Sequence, residues 1–283
     1  MAQTSAPDAP AARCPRDLAG WVASFDPSRL PVLAETAQTL ESARANEDAV
    51  DAHLLGETIA ADPLMTLKLM AHLGHLRRGR EGGEPETVTA ALVMLGIPPF
   101  FRHFGPQASI DEALAGRPWV LEGFRAVLQR SHRAAHFATA FAVQRLDHDV
   151  AVIHSAALLH DFAELLLWIQ WPALAMELAR RQRADPSLRS LDVQNELLGV
   201  SLAELQHALM VRWRLPRVLA QLADDSQQNA SAQVRNVLLA VRLARHTARG
   251  WDNPAVPDDV RDIAGLLHLG VEPTETLLRE IDG

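Results

Sequence analysis

The sequence has no tyrosine and only one cysteine, Cys14. A single cysteine cannot form an intramolecular disulfide, so the composition fits a reducing compartment such as the cytosol. Cys14 lies in a polar, proline-rich stretch, and we do not expect it to be a catalytic nucleophile. The chain also lacks a glycine-rich phosphate-binding loop before a lysine, a Gly-x-Ser-x-Gly motif and paired cysteines, which removes the signatures of several common enzyme classes.

Long apolar runs and an excess of positive charge are missing as well. No run of about 18 apolar residues occurs, and the first dozen residues lack the basic and apolar segments of a signal peptide. The formal net charge is −8 and the pI is about 5.8, whereas duplex DNA binding requires clustered basic charge. We therefore expect a soluble cytoplasmic protein that binds neither membranes nor duplex DNA.

Helix formers dominate the composition. Hydrophobic residues make up 48% of the chain, and alanine and leucine outnumber valine and isoleucine. Helix start and stop signals recur: Asp62 precedes Pro63, Gly96 ends an apolar segment, and Ser201 with Glu204 forms a capping-box pattern. Strand-like alternation does not extend beyond a few residues. The sequence predicts an all-α protein.

Two segments are predicted to be the main helices of this bundle. Residues 119–146 contain one glycine, Gly123, and no proline, and apolar residues recur there at helical spacing, which predicts the longest helix. Residues 150–170 are apolar on most sides, which predicts a single central helix with residues 151–168 largely buried. For the chain as a whole we expect a flexible leader at 1–16, an N-terminal helical lobe at 17–107 and a C-terminal lobe at 108–283.

The most informative pair in the sequence is His160-Asp161 at the end of an apolar stretch. Burying a histidine and an aspartate there is unfavourable unless they ligate a metal or are hydrogen-bonded. The surrounding segment, HSAALLHDFAELLLW, resembles the HD superfamily and more closely its HDOD branch. The segments ETIAADPLMTLKLM, ETVTAALVMLGIPPFFRHF, NELLGVSLAELQHALMVRWRLPRVL and NVLLAVRLARHTA are also similar to HDOD segments, so the resemblance covers residues 30 to 283. It implies an HD-domain-like multi-helix bundle.

The resemblance also implies where metal ligands would lie. HD phosphohydrolases hold a divalent metal with an outer histidine, the His-Asp pair and a distal aspartate. Here Arg130 stands in the register of the outer histidine, and His132, two residues on, is rotated by about 200°. Arg245 stands where the distal aspartate is expected. Arginine cannot ligate a cation, so we interpret His160, Asp161, Arg130, His132 and Arg245 as a degenerate HD site, with no metal and no cofactor.

Three interpretations of the His160-Asp161 pair stay open: a hydrogen-bonded structural pair, a metal site, or an anion site that uses the two arginines. We favour the structural pair, in which Asp161 forms an ion pair across helices with Arg130, Arg245 or a histidine.

The function implied by the HDOD resemblance is bacterial signal transduction. We expect a non-catalytic regulatory module that acts through protein partners. One alternative is a metal-dependent phosphohydrolase of a nucleotide or cyclic dinucleotide, and another is a sensor that binds a nucleotide second messenger without hydrolysing it. Association into a homo-oligomer is also left open.

Overall fold

The computed structural model of the chain describes residues 14–47, 50–77, 83–184, 190–224 and 231–283. Residues 1–13 of the expected flexible leader lie outside the described residues. No β-strand occurs in the described ranges, where only two isolated bridges interrupt a helical fold. The predicted all-α class is therefore confirmed.

The helices before residue 108 are short. They are α1 (Leu18–Ser24), α2 (Ala34–Arg44), α3 (Ala52–Ala60), α4 (Pro63–Leu76), α5 (Val88–Leu95) and α6 (Ile97–His103). A 3-10 turn, Pro27–Arg29, connects α1 to the segment before α2. As predicted, Asp62 caps α4, because its Oδ1 accepts hydrogen bonds from the amides of Leu64 and Met65. Gly96 ends α5 with a φ of 81°, a conformation that side chains disfavour.

The remaining helices include the longest one of the described chain, α8. They are α7 (Ile110–Ala113), α8 (Pro118–Gln144), α9 (Val150–Leu158), α10 (Phe162–Gln170), α11 (Pro172–Ala184), α12 (Ser190–Leu198), α13 (Leu202–Trp213), α14 (Arg217–Leu222), α15 (Ala232–His246), α16 (Val256–Leu267) and α17 (Val271–Asp282). The capping box predicted for Ser201 and Glu204 opens α13. The predicted long helix corresponds to α8, which packs against α9, α10, α15 and α17 and forms the axis of the bundle.

The single helix predicted for residues 150–170 is wrong in one respect, because a turn at residues 159–161 divides it into α9 and α10. The amide of His160 donates to the carbonyl of Ala157 and that of Phe162 to Leu159, three residues back instead of four, which tightens the chain. The predicted burial is confirmed over most of the segment.

The segment Val150–Gln170 is long and apolar enough to cross a membrane. However, 78% of its most apolar stretch is buried inside the fold, as in a core helix.

The helix α1 packs against the second half of the chain. Trp21 is fully buried, its Nε1 donates to the carbonyl of Leu198 at 2.9 Å, and its ring lies edge-on to Trp171 at 5.7 Å. α4 also contacts α13. The division into lobes at 17–107 and 108–283 stays a prediction.

Replacing Gly123 by alanine should destabilise the protein. Gly123 lies inside α8, where alanine would by itself be favoured by about 1 kcal/mol. A Cβ at this position, however, would lie 2.3 Å from the ring of Trp168, which is 3% exposed and cannot move aside. Overpacking of this kind typically costs about 1–3 kcal/mol, so the steric effect outweighs the helix propensity. Chemical denaturation measures the difference.

Gly265 supplies the matched control for this substitution. It is also a helical glycine, in α16, but a Cβ there would meet no atom within 4 Å. Gly265→Ala should therefore stabilise the protein by up to about 1 kcal/mol. If both alanine variants were stabilised equally, the close approach of α8 and α10 at Trp168 would be refuted.

Candidate functional site

The turn between α9 and α10 places His160 and Asp161 where three helices meet. Asp161 immediately precedes α10, Arg130 lies in the middle of α8, and Arg245 lies in the last turn of α15. α15 packs along α8, and α8 also packs against α10, so side chains distant in sequence converge on one carboxylate. The site is thus built by the core packing of the bundle.

Both carboxylate oxygens of Asp161 accept hydrogen bonds from a guanidinium group. Nε of Arg130 donates to Oδ2 at 2.8 Å, and Nη2 of Arg245 donates to Oδ1 at 2.5 Å. The ring of His160 lies beside them, with its Nδ1 3.5 Å from Nη2 of Arg245. The predicted ion pair of Asp161 with a cation from another helix is confirmed, and two arginines share it.

The electrostatics of Asp161 are dominated by these two cations. Its side chain is 7% exposed, and burial alone would raise the pKa of the carboxyl group. Arg245 and Arg130, followed by His160, outweigh burial and hold the pKa of Asp161 well below its usual value of 3.8. Asp161 is therefore a carboxylate throughout the physiological range.

Glu164 belongs to the same cluster, although the sequence analysis did not assign it to the site. Its Oε2 accepts a hydrogen bond from Nη2 of Arg130 at 2.6 Å, so Arg130 bridges two carboxylates. Glu164 and Asp161 together raise the pKa of Arg130 against the opposing effect of burial. The sequence contained an indication of this, because Glu164 follows Asp161 by three residues and so lies on the same helix face.

The structure does not bring His132 to Asp161. Nε2 of His132 donates to the carbonyl of Ala61, at the end of α3, at 2.8 Å. The two-residue offset from Arg130 turns the ring toward another face of α8, as the helical rotation requires. Of the five residues predicted for the site, His160, Asp161, Arg130 and Arg245 converge, and His132 lies apart from them.

A divalent metal does not fit this set of donors. Asp161 has both oxygens engaged, and the groups on either side of it are arginines, which remain cationic and offer no lone pair. In the part of the chain that the structure describes, no group of three or more histidine, cysteine, aspartate or glutamate residues is placed to hold a metal ion. The arrangement joins α8, α10 and α15 through ion pairs.

A cavity of about 450 Å³ adjoins Arg130 between α8, the end of α15 and α17. Arg133 in its wall makes a bidentate contact with Asp282, 2.8 Å to each oxygen, and also donates to the carbonyl of Thr247. Burial raises the pKa of Asp282, but Arg133 outweighs this and lowers it. Both arginines of the cavity are therefore already neutralised by carboxylates of the protein.

The family profile described as the HDOD domain matches residues 30–229 of the chain. A similar solved structure is the MmoQ response regulator of Methylococcus capsulatus strain Bath, with 20% identity, a TM-score of 0.65, and coverage of 88% of this chain and 97% of that one. A virulence factor of Campylobacter jejuni is similar at 18% identity and a TM-score of 0.62, over 89% and 87% of the two chains. Both likenesses concern the fold. No curated protein matches the sequence.

Proposed function

This chain belongs to the HDOD family, and on that premise we propose that it is a non-catalytic regulatory module of signal transduction that acts through protein partners. The observation that carries the proposal is the occupation of both oxygens of Asp161 by the guanidinium groups of Arg130 and Arg245. A carboxylate engaged in this way stabilises helix packing.

Charge balance supports this interpretation. Among the described residues, Arg130 and Arg245 contribute two positive charges, and Asp161 and Glu164 contribute two negative ones, so each of these carboxylates is already paired with a guanidinium group. A divalent cation would have to displace two arginines and would then be repelled by them. Without a metal, the cluster lacks the group that polarises a phosphate and activates water in HD-type hydrolysis.

Surface features support a protein partner. Large apolar side chains are exposed on α3 and α5, two helices that pack against each other: Leu54 is 59% exposed, Val93 75% and Met94 43%. Exposed apolar groups on adjacent helices suit a protein contact. One of the proteins with a similar structure is called a response regulator, which agrees with a signalling role.

Purified protein should contain no stoichiometric metal and should not hydrolyse nucleotides, cyclic dinucleotides or bis(p-nitrophenyl) phosphate with added manganese. The reason is that Arg130 and Arg245 engage both carboxylate oxygens of Asp161, which leaves this oxygen pair no free donor for a metal. Elemental analysis and a colorimetric assay measure the two properties. Stoichiometric bound metal, or turnover that disappears in a His160→Ala variant, would refute the proposal in favour of an HD-type phosphohydrolase.

A non-hydrolytic nucleotide sensor is the second candidate, and the cavity beside Arg130 is the observation that favours it. Calorimetry with a cyclic dinucleotide separates the two candidates. Under our proposal no binding is detected, because a phosphate would have to break the contacts of Arg130 and Arg133 with Asp161, Glu164 and Asp282. Saturable binding that is lost in Arg133→Gln would establish the sensor instead.

A further inference from the structure

Lys68 is the only lysine in the chain, and its position is unusual. It lies in α4, is 7% exposed, and lines a cavity of about 590 Å³ that is separate from the Asp161 cluster. The walls of this cavity come from the end of α1, the following 3-10 turn, α4, the end of α6 and α13, so both halves of the chain contribute.

The hydrogen-bond partners of the Lys68 ammonium group among the described residues are neutral. The group donates to the carbonyl of Leu30 at 2.6 Å and to Oε1 of Gln107. Within the described ranges, no carboxylate forms an ion pair with it, and Asp26 and Asp62 act on it only through space. Burying a charge without an adjacent counter-charge is unfavourable, so the fold maintains this cation at an energetic cost.

The remaining charged groups of the wall leave the cavity positive. Arg212 of α13 is exposed in it and forms no ion pair with any described residue. Among the described residues that line the cavity, Asp26 is the one carboxylate, and its Oδ1 already accepts two hydrogen bonds from Ser28. With Lys68 and Arg212 against Asp26, the formal charge of the wall is +1.

The uncharged part of the wall combines imidazole and aromatic groups. The rings of His72 and His103 are stacked at 3.5 Å. Burial lowers the pKa of His72 to about 4 and also lowers that of His103, so both rings are neutral at pH 7 and offer hydrogen bonds without charge. Phe25, Phe104 and Trp213 supply apolar surface.

We propose that this cavity binds a small organic anion, whose carboxylate or phosphate group contacts Lys68 and Arg212 and whose apolar part packs against the aromatic side chains. The volume lies within the range of about 300–1,000 Å³ that small-molecule sites have. An oxyanion would provide the counter-charge that Lys68 lacks. Because burial lowers the pKa of Lys68 only to about 8, the group is still predominantly cationic at pH 7.

Thermal unfolding with inorganic phosphate or citrate, each at matched ionic strength, tests this site on the full chain. Lys68→Gln keeps a hydrogen-bond donor but removes the charge. Arg235→Gln, on exposed α15 surface, makes the same charge change elsewhere. We expect at least one anion to raise the melting temperature of the wild type and of Arg235→Gln, with about tenfold or more weaker binding in Lys68→Gln. The responsive anion identifies phosphate or carboxylate as the recognised group.

Equal shifts in all three proteins would reflect general salt effects and would overturn the proposal, as would no shift with either anion.

If Lys68→Gln does not fold, chemical labelling of Lys68 in the wild type with pyridoxal phosphate tests the same site. The amine of Lys68 attacks the aldehyde of pyridoxal phosphate and water leaves, and borohydride reduces the imine to a stable secondary amine. Peptide mapping should find Lys68 labelled faster by pyridoxal phosphate than by pyridoxal, and protected by the responsive anion. Equal rates without protection would overturn the site.

Discussion

Asp161→Ala should lower the free energy of unfolding by about 3 kcal/mol, at the lower end of the range of about 3–5 kcal/mol for breaking a buried ion pair. The substitution leaves Arg130 and Arg245 without their shared partner. The loss stays at the lower end because Arg130 keeps Glu164 and because Arg245, at 45% exposure, can turn toward water. For a chain of this size the melting temperature should fall by roughly 6–12 °C, which scanning calorimetry detects.

Asp258→Ala is the control for this prediction. Asp258 is 73% exposed, and its ion pair among the described residues is with exposed Arg261, so its removal should change stability by less than about 1 kcal/mol. An Asp161→Ala variant that has the melting temperature of the wild type but loses partner or ligand binding would contradict the structural role. Asp161 would then be a functional contact.

The pH dependence of Asp161→Asn gives an independent measurement of the same interaction. The pKa of Asp161 is depressed in the folded state, so its contribution to stability is present above the unfolded pKa of about 3.9 and is lost as pH falls toward the folded value. The stability difference between wild type and Asp161→Asn should therefore be present above about pH 5 and should shrink below about pH 4. A difference that grows on acidification would contradict the assignment.

Trp21→Ala should destabilise the protein by about 3–5 kcal/mol, the usual cost of removing a buried large aromatic side chain. Trp21 is fully buried between the first helix and the second half of the chain, and its indole N–H satisfies the carbonyl of Leu198. Removing the ring leaves a cavity and an unpaired carbonyl, and it loosens α1 from α13. Urea denaturation followed by circular dichroism measures the loss.

Trp119→Ala is the matched control, because the same substitution is made at a side chain that is 45% exposed. It should cost far less than Trp21→Ala. Trp21 precedes the residues matched by the family profile, so equal effects of the two substitutions would mean that α1 is dispensable to the domain.

The fold could be predicted from the sequence where local signals determine it. The caps at Asp62 and Ser201 and the stop at Gly96 act within one helical turn, and the structure confirms all three. The turn before α10 could not be predicted in this way. Residues 150–170 carry no glycine or proline, and the chain turns at Asp161, whose side chain meets arginines from two other helices.

The candidate site was only partly predictable for a related reason. The register of the HDOD resemblance places Arg130 and Arg245 near Asp161, and the structure brings them together. Glu164 could have been assigned to the site from its spacing of three residues after Asp161, but the sequence analysis did not include it. Lys68 gave no local signal, because a lysine on a helix is usually solvated, and only the tertiary structure shows that it is buried and faces neutral groups.

The order of synthesis matters for the cluster around Asp161. α8 packs along α15, but the 87 residues from 145 to 231 separate the two helices, and Arg245 comes later still. At about 5–20 residues per second, a ribosome takes roughly 4–17 s to make this stretch. Until α15 is made, the face of α8 that it covers lacks this packing partner, and Asp161, once synthesised, can pair with Arg130 but not yet with Arg245. The packing of α8 and the ion pair of Asp161 with Arg245 can therefore be completed only after α15 has been made.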